Sequence, residues 1–299
     1  LLGLLIGSFL NVVIWRVPRN ESVVSPRSRC PACLETIGAF DNVPVLSWLV
    51  LRGHCRHCGA RISARYPLVE ALTAAVFAVI AARFAESWVL PAYLVLAAAL
   101  IAISVIDFDH KLIPNRIVYP VGAASVVLLA AASLGEGDWP ALGRAALGAP
   151  IYFGAFYGLW LLWPRAMGFG DVRLAALLGA HLAWLGWATL GIGMFLPFLI
   201  GSIGGIVVVA PILVAPMVGA GAAGWIGGVD LMESWSGESP SDPTRARITV
   251  GLVLAVLVGS FLYLLGSFLR RIPRGRALAF GPSMALGAIA AILLAGPGA

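Results

Sequence analysis

Apolar runs of roughly membrane-spanning length recur along the whole chain, and no other feature constrains its fold as much. They are Leu1 to Trp15, Pro67 to Ala82, Val89 to Ile106, Ile117 to Leu134, Ala141 to Trp163, Val172 to Trp187, Leu190 to Met217, Ile248 to Leu269 and Leu278 to Leu294. A helical span needs about 17–25 such residues. Lipid offers no hydrogen bonds to the backbone, so each segment must satisfy its own N–H and C=O groups, which helices do. Of the 299 residues 60% are hydrophobic and 11% charged, against about 45–50% and about 25% in soluble domains. A soluble globular enzyme is excluded. The expected fold is an all-α polytopic membrane protein.

The few charges give the chain a direction. All but one of the 20 Lys and Arg are Arg, and eight of those lie between Arg16 and Arg65. Basic residues in short connections mark the cytoplasmic side. Arg16 to Arg65, Lys111 and Arg116, Arg165 and Arg173, and Arg270 to Arg276 are therefore assigned inside, and Glu86, Glu136 and Asp138 outside. The formal charge of +6 does not point to nucleic acid, because the cations flank apolar runs and form no aromatic-interleaved groove.

Three apolar runs lie between Asp171 and Arg270, both assigned inside, so one of the three is not a full span. The run after Asp171 is expected to be tilted and partly embedded, or continuous with the next. That gives about eight transmembrane helices and puts the acidic stretch Asp230 to Asp242 outside. Residues 1–15 read as a first transmembrane helix, truncated at its N-terminus, that leads into Arg16 without a cleavage site. Residues 16–66 read as a small cytoplasmic domain and 67–299 as a multi-helix membrane domain. Gly219 to Arg247 is expected to be a flexible inserted loop, Gly201, Gly204 and Gly205 a packing surface, and no internal repeat is expected.

Segment 16–66 holds all four cysteines. Cys30-Pro-Ala-Cys33 and Cys55-Arg-His-Cys58 are two C-x2-C knuckles, the pattern in which four thiolates close a tetrahedron around zinc. About fifty residues make little core of their own, so a metal fastening both knuckles supplies the missing folding energy. The prediction is a structural Zn2+ with no open position for catalysis. Two disulfides are the alternative, disfavoured on a reducing face. His54 and His57 are spare donors beside a complete site.

A charge inside a span costs about 2.5–3.5 kcal/mol on insertion scales, so each one calls for a reason. Asp107 ends one apolar run and Asp171 opens another after Gly168-Phe-Gly170, both at the expected cytoplasmic boundary. At matched depth they can meet. Two carboxylates sharing a site do not both ionise easily, so the pair holds one proton near neutrality and has the makings of acid/base chemistry. Asp171, at a helix N-terminus where the dipole favours negative charge, is assigned as the base, and Asp107 carries the proton. The competing reading is that each Asp merely caps a helix at the water boundary. Gly168 and Gly170 are expected to permit a sharp turn and close approach of an extended substrate. Asp109 is expected to point to water, and His181 to be a packed or interfacial histidine. Asn11 and Glu70 are polar candidates for holding a substrate amine or a cofactor, with an interhelical hydrogen bond and a salt bridge to an Arg as their structural alternatives.

Together these motifs resemble the bacterial type IV prepilin peptidases, within the wider group of Gly-x-Gly-Asp intramembrane aspartyl proteases. The resemblance rests on Gly7-Ser-Phe-Leu-Asn-Val-Val-Ile14 with Arg16, the two knuckles, Leu51-Arg-Gly53, Ile62-Ser63, Arg65-Tyr-Pro-Leu-Val-Glu70, Ile106-Asp107, Ile113-Pro114-Asn115, Gly168 to Asp171 and Phe280-Gly-Pro282. It implies that residues 67–299 are an aspartyl peptidase domain of the inner membrane using Asp107 and Asp171. The implied reaction cleaves the basic leader of prepilins and pseudopilins, substrates of type IV pili and type II secretion. S-adenosylmethionine-dependent methylation of the new N-terminus follows in bifunctional members. Arg173 stands where the family commonly has Lys, and 219–247 resembles an insertion.

Two other readings explain less. A presenilin-like protease shares the Gly-x-Gly-Asp logic but pairs it with Tyr-Asp, whereas Ile106 precedes Asp107 here, and it leaves the knuckles unexplained. An ion or metal transporter would place acids near mid-span, not at one boundary.

Overall fold

The structure is a computed structural model that describes residues 1–164, 167–200 and 280–295. The expected span 248–269, the glycines at 201, 204 and 205, the acidic stretch 230–242 and the insertion 219–247 lie outside the described residues. Among the described residues the helices are α1 (Leu2–Arg16), the short α2 (Leu46–Val50), α3 (Arg65–Phe84), α4 (Leu90–His110), α5 (Asn115–Glu136), α6 (Trp139–Leu162), α7 (Phe169–Leu185), α8 (Trp187–Ile200) and α9 (Gly281–Leu294). No strand longer than an isolated bridge occurs among them.

The helix ends follow local chemistry. Asp138 caps α6, its Oδ1 accepting from the N–H of Ala141 at 2.9 Å, and Pro140 sits in the first turn, where a missing N–H costs nothing. Lys111 closes α4 in the left-handed conformation (φ 55°), donating its N–H to the Asp107 carbonyl at 2.9 Å, and Pro114, extended at φ −74° and ψ 126°, is the residue from which α5 starts. The apolar run that ended at Ile106 in sequence thus continues as helix to His110 and carries Asp107 within its last turn.

Five helices, α1 with its 3-10 extension to Arg19 and α3 to α6, are long and apolar enough to cross a membrane. The run after Asp171 is not continuous with the next one, because Gly186 separates α7 from α8. At 17 residues α7 is about 25 Å long, short of the roughly 30 Å hydrocarbon core.

α4 lies at the centre, against α1, α3, α5 and α9, with Tyr93, Leu96, Leu100, Ile103 and Ile106 essentially sealed. Lipid tails are as apolar as Leu, so packing and interhelical hydrogen bonds hold such a bundle together. α6 and α7 show this most clearly. Gly148 and Gly179 face each other so closely that a Cβ on either would strike the opposing backbone. Tyr93 Oη donates to the His181 carbonyl and Tyr152 Oη to the Gly193 carbonyl, each at 2.7 Å, while Trp184 Nε1 donates to Ser133 Oγ at 3.0 Å. His181 is packed as expected, its Nδ1 2.9 Å from the Leu177 carbonyl.

Candidate functional site

Asp107 reaches the site from the last turn of α4 and Asp171 from the first turn of α7, and α9 packs against both helices. Both carboxylates are buried. Asp171 folds back on its own helix start, Oδ2 accepting the Gly168 N–H at 3.1 Å. Its Oδ1 is buried with no hydrogen-bond partner among the described residues. Asp107 Oδ2 accepts the N–H of Gly281, at the start of α9, at 3.0 Å. Gly170, beside Asp171, lies against Ile113, just past the end of α4 that carries Asp107. The two acids, 64 residues apart in sequence, therefore share one buried place.

Glycine has a definite reason at two points here. A methyl at Gly281 would sit 2.9 Å from Asp107 Oδ2 and 3.2 Å from its Cγ, and one at Gly170 would lie 2.8 Å from Ile113 Cβ. Gly168 differs from expectation: its φ and ψ of −74° and 147° are open to any residue, so no glycine-only turn is needed there. The role of Gly281 was missed in the sequence. The Phe280-Gly-Pro282 motif was visible, but nothing in the order of residues pairs it with an acid 174 positions earlier.

The neighbouring polar residues fall out as follows. Asp109 is not simply solvated. It pairs with Arg65 at 2.6 Å, tying the start of α3 to the end of α4. Asn11 Nδ2 donates to the Tyr66 carbonyl at 3.1 Å, a link between α1 and α3. Glu70 makes no salt bridge to Arg among the described residues. Its Oε2 instead accepts the N–H of Val45 at 2.7 Å. Both side chains hold backbone, which fits a structural role better than a methyl-donor site. Arg173 bonds the side chain of Asn115 and lies over the Phe169 ring at 5.0 Å.

The four cysteines also converge, their sulfurs all within 4.8 Å of one another and Cys30 Sγ 3.9 Å from Cys58 Sγ. Zn–S bonds of about 2.3 Å in a tetrahedron put sulfurs roughly 3.8 Å apart, so the set fits a four-thiolate metal. An internal repeat, not expected from the sequence, builds it. Cys30 N–H bonds the Glu35 carbonyl, Leu34 N–H the Cys30 carbonyl and Ile37 N–H the Ser28 carbonyl. Cys55 to Ala60, Gly59 to Cys55 and Ile62 to Gly53 repeat the pattern 25 residues on. Leu34 and Gly59, at matching positions, both take positive φ (61° and 69°). The N–H groups of Cys33 and Ala32 draw the Cys30 thiol down to about 7, and those of Cys58 and His57 lower Cys55 in the same way. The turns thus favour the thiolate at Cys30 and Cys55, whereas burial and the neighbouring sulfurs push Cys33 up to about 11.

Comparison with known proteins matches two family models to the chain: the Bacterial Peptidase A24 N-terminal domain over residues 1–84 and the Type IV leader peptidase family over residues 94–230. Together they cover most of it. The chain belongs to the type IV leader peptidase family. Among relatives in this leader peptidase family, a "Prepilin leader peptidase/N-methyltransferase" of Aeromonas salmonicida is 38% identical over 238 residues, 69% of this chain and 78% of the relative. One of the same name from Myxococcus xanthus is 44% identical over 199 residues, 65% of this chain and 57% of the relative. A "Type 4 prepilin-like proteins leader peptide-processing enzyme" of Escherichia coli is 44% identical over 208 residues, covering 62% and 74%. No solved structure matches. Both candidate catalytic acids of this leader peptidase family member lie within the second matched segment and all four cysteines within the first.

Proposed function

We propose that the chain removes the leader peptide of prepilins and pseudopilins at the cytoplasmic face of the inner membrane, with Asp107 and Asp171 as the catalytic pair. The observation that carries this reading is the convergence of two buried carboxylates at the ends of α4 and α7 in a member of a leader peptidase family. In this mechanism Asp171 starts ionised and Asp107 protonated. Asp171 Oδ1, free of other partners among the described residues, takes a proton from water as the water oxygen attacks the scissile carbonyl carbon. Asp107, whose Oδ2 is held by Gly281, donates from its other oxygen to the carbonyl oxygen. As the tetrahedral species collapses, a hydroxyl proton returns to Asp107, the C=O bond re-forms and the C–N bond breaks, and the proton on Asp171 leaves with the amine.

The relatives' names support a second reaction, methylation of the new N-terminus by S-adenosylmethionine, and that activity belongs to the same proposal. The donor supplies an electrophilic methyl group, and what this chain must do is present the freed amine. In the cysteine domain Cys30, Cys33, Cys55 and Cys58 would hold a structural Zn2+, four protein ligands leaving no position for water. The eight-span count, with the knuckles and both acids on the cytoplasmic side, goes with this reading.

The test is the purified protein in lipid with a prepilin and a labelled methyl donor. Leader removal followed by label at the new N-terminus is expected. Cleavage that persists in Asp107→Asn or Asp171→Asn would refute the pair.

A further inference from the structure

The cysteine segment has an apolar face that, among the described residues, no other part of the protein covers. In α2 the Trp48 ring faces inward, against Gly53, with Nε1 donating to the Ile62 carbonyl at 3.0 Å, so the second knuckle fixes the helix's rotation. The helical period then turns Leu46, Leu49 and Val50 to the opposite side. They are 61%, 57% and 75% exposed. Phe40 and Val43, just upstream, are exposed as well, and Arg52, also exposed, follows the helix directly.

The height of this apolar face is fixed by one bond. The N–H of Val45, the residue before α2, is held by Glu70 Oε2 at 2.7 Å, and Glu70 lies in the second turn of α3. Five residues of helix rise about 7 Å, so α2 is tied below the Arg65 end of a helix long and apolar enough to cross a membrane. Val45 takes φ 61°, an unfavourable conformation for a β-branched residue, so α2 is held where the chain alone would not place it. Apolar side chains exposed at that level, bordered by cations, have the form of an interfacial membrane helix. Residues 16–66 carry eight Arg against three acids, Glu21, Glu35 and Asp41, which suits anionic headgroups.

We propose that α2 docks on the bilayer surface, with Leu46, Leu49 and Val50 entering the acyl boundary and Arg52 among anionic headgroups. The cysteine domain then lies flat on the leaflet beside the candidate active site instead of hanging free in water. The inference rests on α3 crossing the membrane and is independent of which peptide is cleaved.

The test places the photo-crosslinker p-benzoylphenylalanine at position 49 or 50 of the full chain in nanodiscs containing phosphatidylglycerol. Leu72, on the outward face of α3 and 51% exposed, is the reference. Lipid adducts at 49 and 50 within about threefold of those at 72 are expected for an interfacial helix, falling when Leu46 and Arg52 are both changed to Glu. Adducts at 72 but about a tenth as many at 49 and 50, or crosslinks from 49 and 50 to a second copy of the chain, would overturn the docking. An absence of lipid adducts at 72 as well would refute it too, by removing α3 from the membrane.

Discussion

The cysteine segment and the helical bundle are held by opposite means. Between Pro18 and Tyr66 only Cys30 and Gly53 are buried, while eleven of the 21 residues of α4 are. The bundle derives its order from surface matched to surface, as where Gly148 meets Gly179. The segment derives its order from two repeated turns whose sulfurs meet at a point. A fold built by contact area fails gradually, residue by residue, whereas one built on a single point fails at once when the point is lost.

The largest effect should therefore come from removing the metal proposed for the four cysteines. Structural zinc in small domains contributes about 10–16 kcal/mol of apparent binding free energy. Chelation, or Cys58→Ser, is expected to expose residues 20–64 to protease while α3 to α7 remain resistant and helical content by circular dichroism changes little. Collapse of the bundle together with the segment would break the contrast. Metal analysis of the untreated protein should give about one zinc per chain.

Within the bundle, Asp107→Asn and Asp171→Asn should lower leader cleavage by about 10²–10⁴-fold, the range typical of acid/base groups. Neither should change insertion or thermal stability much, since Asn preserves the shape. A smaller loss, about 10²-fold, is expected from Gly281→Ala, because the added methyl would sit 2.9 Å from Asp107 Oδ2 and displace the carboxylate from its position. The loss should appear in kcat more than in KM. Gly148→Ala is the matching control, disturbing the α6–α7 contact away from the acids and costing about 1–3 kcal/mol of stability.

These cases also show what a sequence can disclose. The knuckles were legible because ligand spacing is local, and the two acids because a carboxylate in an apolar run is conspicuous. The helical framework was legible from hydropathy, though its ends moved, α4 gaining a turn that carries Asp107 inward. What could not be read were pairings set by tertiary packing: Gly281 with Asp107, Glu70 with Val45, Asp109 with Arg65. Each joins residues with no mutual pattern along the chain. The repeat in the knuckles was readable in principle, since Cys30, Cys33 and Ile37 recur as Cys55, Cys58 and Ile62 at one offset. Two motifs of four residues are too short to stand out as a repeat without the hydrogen bonds between them.

The smallest effect should come from Asp41→Asn, and it sharpens the comparison. Arg56 grips Asp41 through Nε and Nη2, at 2.9 and 2.6 Å, and this holds the Asp41 carboxyl below the usual carboxylate range. A lowered value means that the pair stabilises the fold at every pH above the ordinary carboxylate range, and that this contribution is lost as the pH falls through the lowered value. Near neutrality Asp41→Asn should leave zinc content and cleavage unchanged and raise protease sensitivity of 20–64 only slightly, because an exposed pair is screened by water. The difference between variant and wild type should narrow only in acid. Thiolates are protonated in acid as well, which would release the proposed zinc, so the segment should unfold there whether or not Asp41 is present. A large effect of Asp41→Asn at neutral pH would mean that charge pairing, and not the metal, organises the segment.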